Sequence, residues 1–108
     1  MTQRIIKRIE NHTKRLLEAK QNNSRIEEGR AYCNLGNAYY SLGDFQRAIE
    51  YHEKDLSIAK DVGDRAGEGS AYYNLGMSYL KLDSLNEALA HFRLSVETHN
   101  TIRASLIS

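Results

Sequence analysis

Four histidines (His12, His52, His91 and His99) and one cysteine (Cys33) are the side chains of this chain best suited to metal or nucleophile chemistry. Their spacing does not assemble a site. His12 and His52 are forty positions apart in repeat-equivalent places, so stacking holds them about one hairpin apart. His91 and His99 are eight residues apart on a predicted helix, a rise of ~12 Å, too far to share one zinc ion. No H-E-x-x-H, Walker loop or G-x-S-x-G string occurs. Cys33 has no base or activating charge of defined geometry in the sequence, and reads as a small adaptable side chain. The reading is therefore not an enzyme, with no cofactor and no metal.

A second kind of chemistry is recognition. Asn34 and Asn74 each carry a donor and an acceptor, enough to pair with a peptide backbone. They hold the same place in two copies of one sentence. "AYCNLGNAYYSLGDFQRA" (Ala31–Ala48) returns forty residues later as "AYYNLGMSYLKLDSLNEA" (Ala71–Ala88). Gly29/Gly69, Ala31/Ala71, Tyr32/Tyr72, Leu35/Leu75, Gly36/Gly76, Tyr39/Tyr79, Leu42/Leu82 and Ala48/Ala88 are further identities at this shift. It also works backwards: His12, Lys14, Leu16, Ala19 and Lys20 match His52, Lys54, Leu56, Ala59 and Lys60. The chain thus reads as the second half of one unit (1–24) and two full units (25–64 and 65–108), a piece of a longer array or an unusual natural end.

Each unit reads as two helices. Ala31, Tyr32, Leu35, Gly36, Ala38, Tyr39 and Leu42 recur with helical period. "LGD" (Leu42–Asp44) and "VGD" (Val62–Asp64) then supply a left-handed glycine and a capping aspartate. Ser24 with Glu27, and Ser84 with Glu87, have capping-box spacing. The predicted helices are 2–22, 25–41, 45–62, 65–81 and 85–100, an all-α chain. Gly36 and Gly76 fall mid-helix, where glycine costs about 1 kcal/mol against alanine. That implies a close neighbour, expected to be Ala48 and Ala88. Tyr32, Tyr39, Tyr72 and Tyr79 are expected in the core, and Glu50, Glu53, Lys54 and Lys60 on a solvated face.

The bulk numbers agree with one modest domain. There are 108 residues, 41% hydrophobic and 27% charged, with net charge +1 and no proline or tryptophan. Basic runs near Arg4–Arg8 and Lys14–Arg15 are interrupted, so nucleic acid is not an expected partner. No stretch approaches the ~20 apolar residues of a membrane span, and the N-terminus lacks a secretory apolar run. One cysteine cannot form an internal disulfide, and a reducing, cytoplasmic setting is the simpler reading.

The pattern aromatic–x–x–Leu–Gly–x–x–Tyr, then alanine, then an aromatic resembles the tetratricopeptide repeat. Tyr32, Leu35, Gly36, Tyr39, Ala48 and His52 meet it once; Tyr72, Leu75, Gly76, Tyr79, Ala88 and Phe92 meet it again. His52 departs from the usual aromatic, and "DVGDR" stands where the family often has proline. The forty-residue period, "NLGN" (Asn34–Asn37) and "GDRAGEG" (Gly63–Gly69) resemble the LGN/Pins group of G-protein-signalling adaptors. The resemblance implies an α-solenoid, a right-handed superhelix of antiparallel hairpins, whose first helices line a concave groove. It implies protein partners and an adaptor role in G-protein or polarity signalling.

Residues of the first helices outside the packing stripe are the expected groove: Arg30, Cys33, Asn34, Asn37, Tyr40 and Ser41, then Ser70, Tyr73, Asn74, Met77, Leu80 and Lys81. They follow the family's ligand-contact positions. Arg30 could fork onto a carboxylate, Lys81 adds charge, and Tyr40, Tyr73 and Met77 add apolar area. A short, partly acidic peptide segment is the expected partner. The asparagines have a second use open to them, bonding a neighbouring helix or loop. A different class of function is self-assembly. Ile5, Ile9, Leu16 and Ala19 at one end, and Ile102, Leu106 and Ile107 at the other, offer apolar surface for a homodimer, and at least three repeats usually make a stable stack.

Overall fold

Turns set the architecture. A computed structural model describes residues 2–107. It has five helices: α1 (Thr2–Gln21), α2 (Arg25–Leu42), α3 (Phe45–Val62), α4 (Arg65–Lys81) and α5 (Leu85–Ile107). The first four are each followed, within two residues, by a residue of positive φ: Asn23 (54°), Gly43 (87°), Gly63 (74°) and Asp83 (59°). The residue after each closes a bond back five places. Ser24, Asp44, Asp64 and Ser84 donate their backbone N–H to the carbonyls of Ala19, Tyr39, Ala59 and Tyr79 at 2.8–2.9 Å. This is the Schellman closure, repeated every twenty residues.

Only two of those four turns use glycine. Asn and Asp tolerate the left-handed region because their short polar side chains bond locally, so the "LGD" signal is one spelling of a more general rule. Capping then starts the next helix. Ser24 accepts from the Glu27 N–H, Asp44 from Arg47 and Asp64 from Gly67. The Glu27 carboxylate takes Arg30 at 3.3 Å.

The helix limits fall within one residue of the sequence expectation except in α5, which runs on to Ile107 rather than stopping at residue 100. No glycine or proline interrupts Thr101–Ile107. The Thr101 hydroxyl donates to the Glu97 carbonyl at 2.9 Å, within the helix.

Each helix packs on the next in sequence, and among the described residues the one further helix pair in contact is α2 beside α4. This is an all-α solenoid, in which a unit touches only its neighbours. Leu35 and Leu75 are 0% and 1% exposed, anchoring successive hairpins. Leu16, Ala31, Tyr32, Leu35 and Ile58 form one core cluster, with Ile9, Tyr39 and Tyr51 packed against it. Tyr32 and Tyr72 are buried; Tyr39 and Tyr79 are half-buried.

One packing expectation is corrected. A Cβ on Gly36 would lie 2.6–2.7 Å from the imidazole of His52, and one on Gly76 would lie 2.7–3.0 Å from the ring of Phe92. The nearest atoms therefore belong to rings rather than to Ala48 and Ala88. A flat ring laid over a helix needs the absence of a methyl group beneath it. The solvated face is as expected, with Glu50, Glu53, Lys54 and Lys60 all exposed. The ammonium groups of Lys54 and Lys60 stand 5.6 Å from the ring centroids of Tyr32 and Tyr72, in cation–π range. Lys20 does the same over Tyr32 at 5.8 Å.

Candidate functional site

Helices α2 and α4 run side by side, and α3 forms the floor between them. That arrangement follows from the hairpin stack and decides which side chains meet. Asn37 and Tyr40 from α2, His52 from α3, and Tyr73, Asn74 and Met77 from α4 line one small cleft of about 160 Å³. Five of these six are expected groove residues. Arg30, Cys33 and Ser70 join Gly29, Asp55 and Ile58 in a second cleft of about 440 Å³ along the same pair of helices.

Asn34 and Ser41 lie elsewhere. With Arg8, His12 and Asn37 they line a cleft of about 280 Å³ between α1 and α2. This is the Asn74 cleft one repeat earlier: His12 stands for His52, and Asn37 for Met77. Each asparagine thus sits against the second helix of the preceding unit, which keeps the ladder but divides its rungs between two clefts. Lys81 and Leu80 are exposed near the end of α4. None of the twelve expected residues is buried.

The polar chemistry is uneven. Arg30 is paired with Glu27, both partners largely exposed, a pair worth below about 1 kcal/mol. Asn37 donates weakly to the sulfur of Cys33 at 3.8 Å. Burial, with the neighbouring Asp55 carboxylate, pushes the Cys33 thiol up to about 11. Near neutral pH it is a protonated thiol, without the thiolate a nucleophile requires. Burial, then Arg15 and Arg8, lower the His12 pKa.

A cluster emerges that the sequence reading missed. Cys33, His52 and Asp55 bring one ligand atom each to within 4.8 Å of one another. The sequence reading weighed the histidines against each other and assigned no metal ligands. The signal was present: His52 and Asp55 are i,i+3 on one helix, and Cys33 lies opposite them across the Gly43 hairpin.

A search of curated protein sequences finds no match. Among solved structures, the crystal structure of the TPR domain of Arabidopsis FLU superposes with a TM-score of 0.75. It is 22% identical, over 92% of this chain and 97% of that one, and at such identity the likeness speaks for the fold alone. Residues 27–100 match the tetratricopeptide-repeat family; with most of its length covered by that match, the chain belongs to this family of protein–protein interaction scaffolds.

Proposed function

We propose that the chain is a non-catalytic scaffold that holds a peptide segment of a partner in the groove between α2 and α4. The observation that carries this reading is the meeting of Asn37, Tyr40, Tyr73, Asn74 and Met77 on one cleft. Amides there can pair with a peptide backbone, while the tyrosines and methionine supply adaptable apolar area. Arg30 would give up an exposed pair with Glu27 to meet an acidic side chain, so the acidic preference is modest. An adaptor role in G-protein or polarity signalling, in the cytoplasm, rests on the resemblance of the forty-residue repeats to the LGN/Pins group.

A displayed library of random peptides tests the groove. Selection on the chain as it stands should enrich a common sequence that a Tyr73→Ala, Asn74→Ala variant of equal helicity does not hold. Equal retention by both proteins would overturn the proposal.

One observation favours a second reading, self-assembly. Leu85, Leu89 and Val96 on α5 are 56–62% exposed, and Leu106 is 83% exposed. Light scattering over a wide dilution series would show a concentration-dependent dimer, and a constant monomer mass would remove this reading.

A further inference from the structure

Three donor chemistries meet where α2 faces α3: the thiol of Cys33, the imidazole of His52 and the carboxylate of Asp55. His52 is 1% exposed, and its buried Nδ1 has no hydrogen-bond partner. His12 Nδ1 on α1 is likewise buried without a partner, but no carboxylate follows it three residues on; the two histidines of α5 behave differently. His91 Nδ1 lies 2.7 Å from the Glu87 carbonyl, and His99 Nδ1 lies 2.8 Å from the Ser95 carbonyl, each four residues back. His52 Nδ1 instead faces Asp55 Oδ2 at 3.8 Å, beyond hydrogen-bond reach.

The repeat supplies an internal control. Forty residues on, Cys33, His52 and Asp55 become Tyr73, Phe92 and Ser95. Tyr73 and Phe92 pack ring to ring at 5.7 Å, and the Ser95 hydroxyl donates to the Gly69 carbonyl at 2.9 Å. Forty residues back, His12 has Arg15 where His52 has Asp55. The fold asks for a ring above the mid-helix glycine. It does not ask for an imidazole, a thiol and a carboxylate together, and the middle copy alone combines them.

We propose that Cys33 Sγ, His52 Nδ1 and Asp55 Oδ2 bind one Zn²⁺ ion, with water in a fourth position open to the cleft. Zinc bonds of about 2.0–2.3 Å in a tetrahedron set ligand atoms roughly 3.3–3.8 Å apart. His52 and Asp55 already stand at that separation, and a side-chain adjustment of Cys33 completes the set. Thiolate with imidazole suits zinc, whereas magnesium and calcium take oxygen donors. Cys33 and Asp55 line the cleft of about 440 Å³, which gives the ion its path in. On binding, the thiol proton leaves to solvent as the sulfur–metal bond forms. This inference does not depend on the peptide reading.

Titration of chelator-treated protein with Zn²⁺ by calorimetry tests it, with Co²⁺ as a spectroscopic stand-in. Expected are one ion per chain, a thiolate-to-cobalt charge-transfer band, and a melting temperature that rises with Zn²⁺. Cys33→Ser and Asp55→Asn should each weaken binding more than about tenfold. His52→Phe copies the ring found at Phe92, so it should stay folded and lose the zinc response. A wild-type chain without the cobalt band, or Zn²⁺ affinity unchanged in Cys33→Ser or His52→Phe, overturns the proposal.

Discussion

The hairpin α2–α3 and the hairpin α4–α5 follow one backbone plan but exchange the position of their histidine. In the first, Tyr51 stacks on Tyr39 at 5.4 Å and His52 covers Gly36. In the second, His91 stacks on Tyr79 at 5.1 Å and Phe92 covers Gly76. Each pair offers one imidazole and one six-membered ring, in opposite order. The partner of Nδ1 changes with the order. At His91 a helix carbonyl satisfies it; at His52 the nitrogen turns toward Asp55 and Cys33. Shape is thus held constant between the units while polarity moves, and what is left over for function lies where polarity and shape do not coincide.

The largest expected effects test the shared plan. Leu35→Ala and Leu75→Ala should each cost about 2–5 kcal/mol, read from the midpoint of urea unfolding. If the hairpins form one cooperative stack, each variant shifts a single transition. Two transitions would break the comparison by showing that the units unfold separately.

Gly36→Ala and Gly76→Ala come next. Alanine favours the helix by up to about 1 kcal/mol, but a ring occupies the methyl's place, and overpacking costs about 1–3 kcal/mol. His52 is buried and Phe92 half-buried, so the phenyl ring can slide outward. Gly36→Ala should therefore destabilise more than Gly76→Ala. The reverse order would show that polarity, not shape, holds the first unit.

Exchanging residues between units sharpens the point. Ser78 is buried with its hydroxyl unpartnered, and the same place in the first hairpin is Ala38. Ser78→Ala should stabilise by about 1 kcal/mol, as removal of an unsatisfied polar group does. Without metal, His52→Phe should stabilise similarly, and Phe92→His should destabilise. Chemical denaturation of the three variants in chelator measures all of these.

The smallest effect concerns His12. Its pKa is lowered from 6.5 in the folded chain, so below pH 6.5 the unfolded chain binds more protons. Stability is present above that pH and falls as the pH drops toward the folded value. His12→Gln should flatten this slope in melting temperature against pH, and an unchanged slope would assign it to another group.

The sequence made the fold legible because helical period, Schellman turns and a forty-residue repeat are local signals. Gly43 and Gly63 announced two turns outright. Asn23 and Asp83 did not, since the left-handed conformation is optional for them and the closing bond to the fifth residue back decides it. The groove residues were legible as a face, but not as clefts. Asn34 and Asn74 look alike in sequence and part company because α1 borders one and α2 with α3 border the other. The Cys33–His52–Asp55 cluster was hidden by a search for histidine pairs. Its members come from two helices, and only the hairpin's antiparallel register brings them face to face.

The turns at residues 23, 43, 63 and 83 also bear on how such a chain can change length. A residue deleted inside a helix turns everything beyond it by about 100° about that helix's axis. Tyrosines and leucines would then swing from the seam to the solvent, and the rings would lose their glycines. A deletion of twenty residues, one helix with its turn, restores the phase but exchanges first helices for second ones. Only steps of forty preserve both phase and role. Length here is therefore counted in hairpins, and a library of random single-residue indels should retain folded members mainly at the turns.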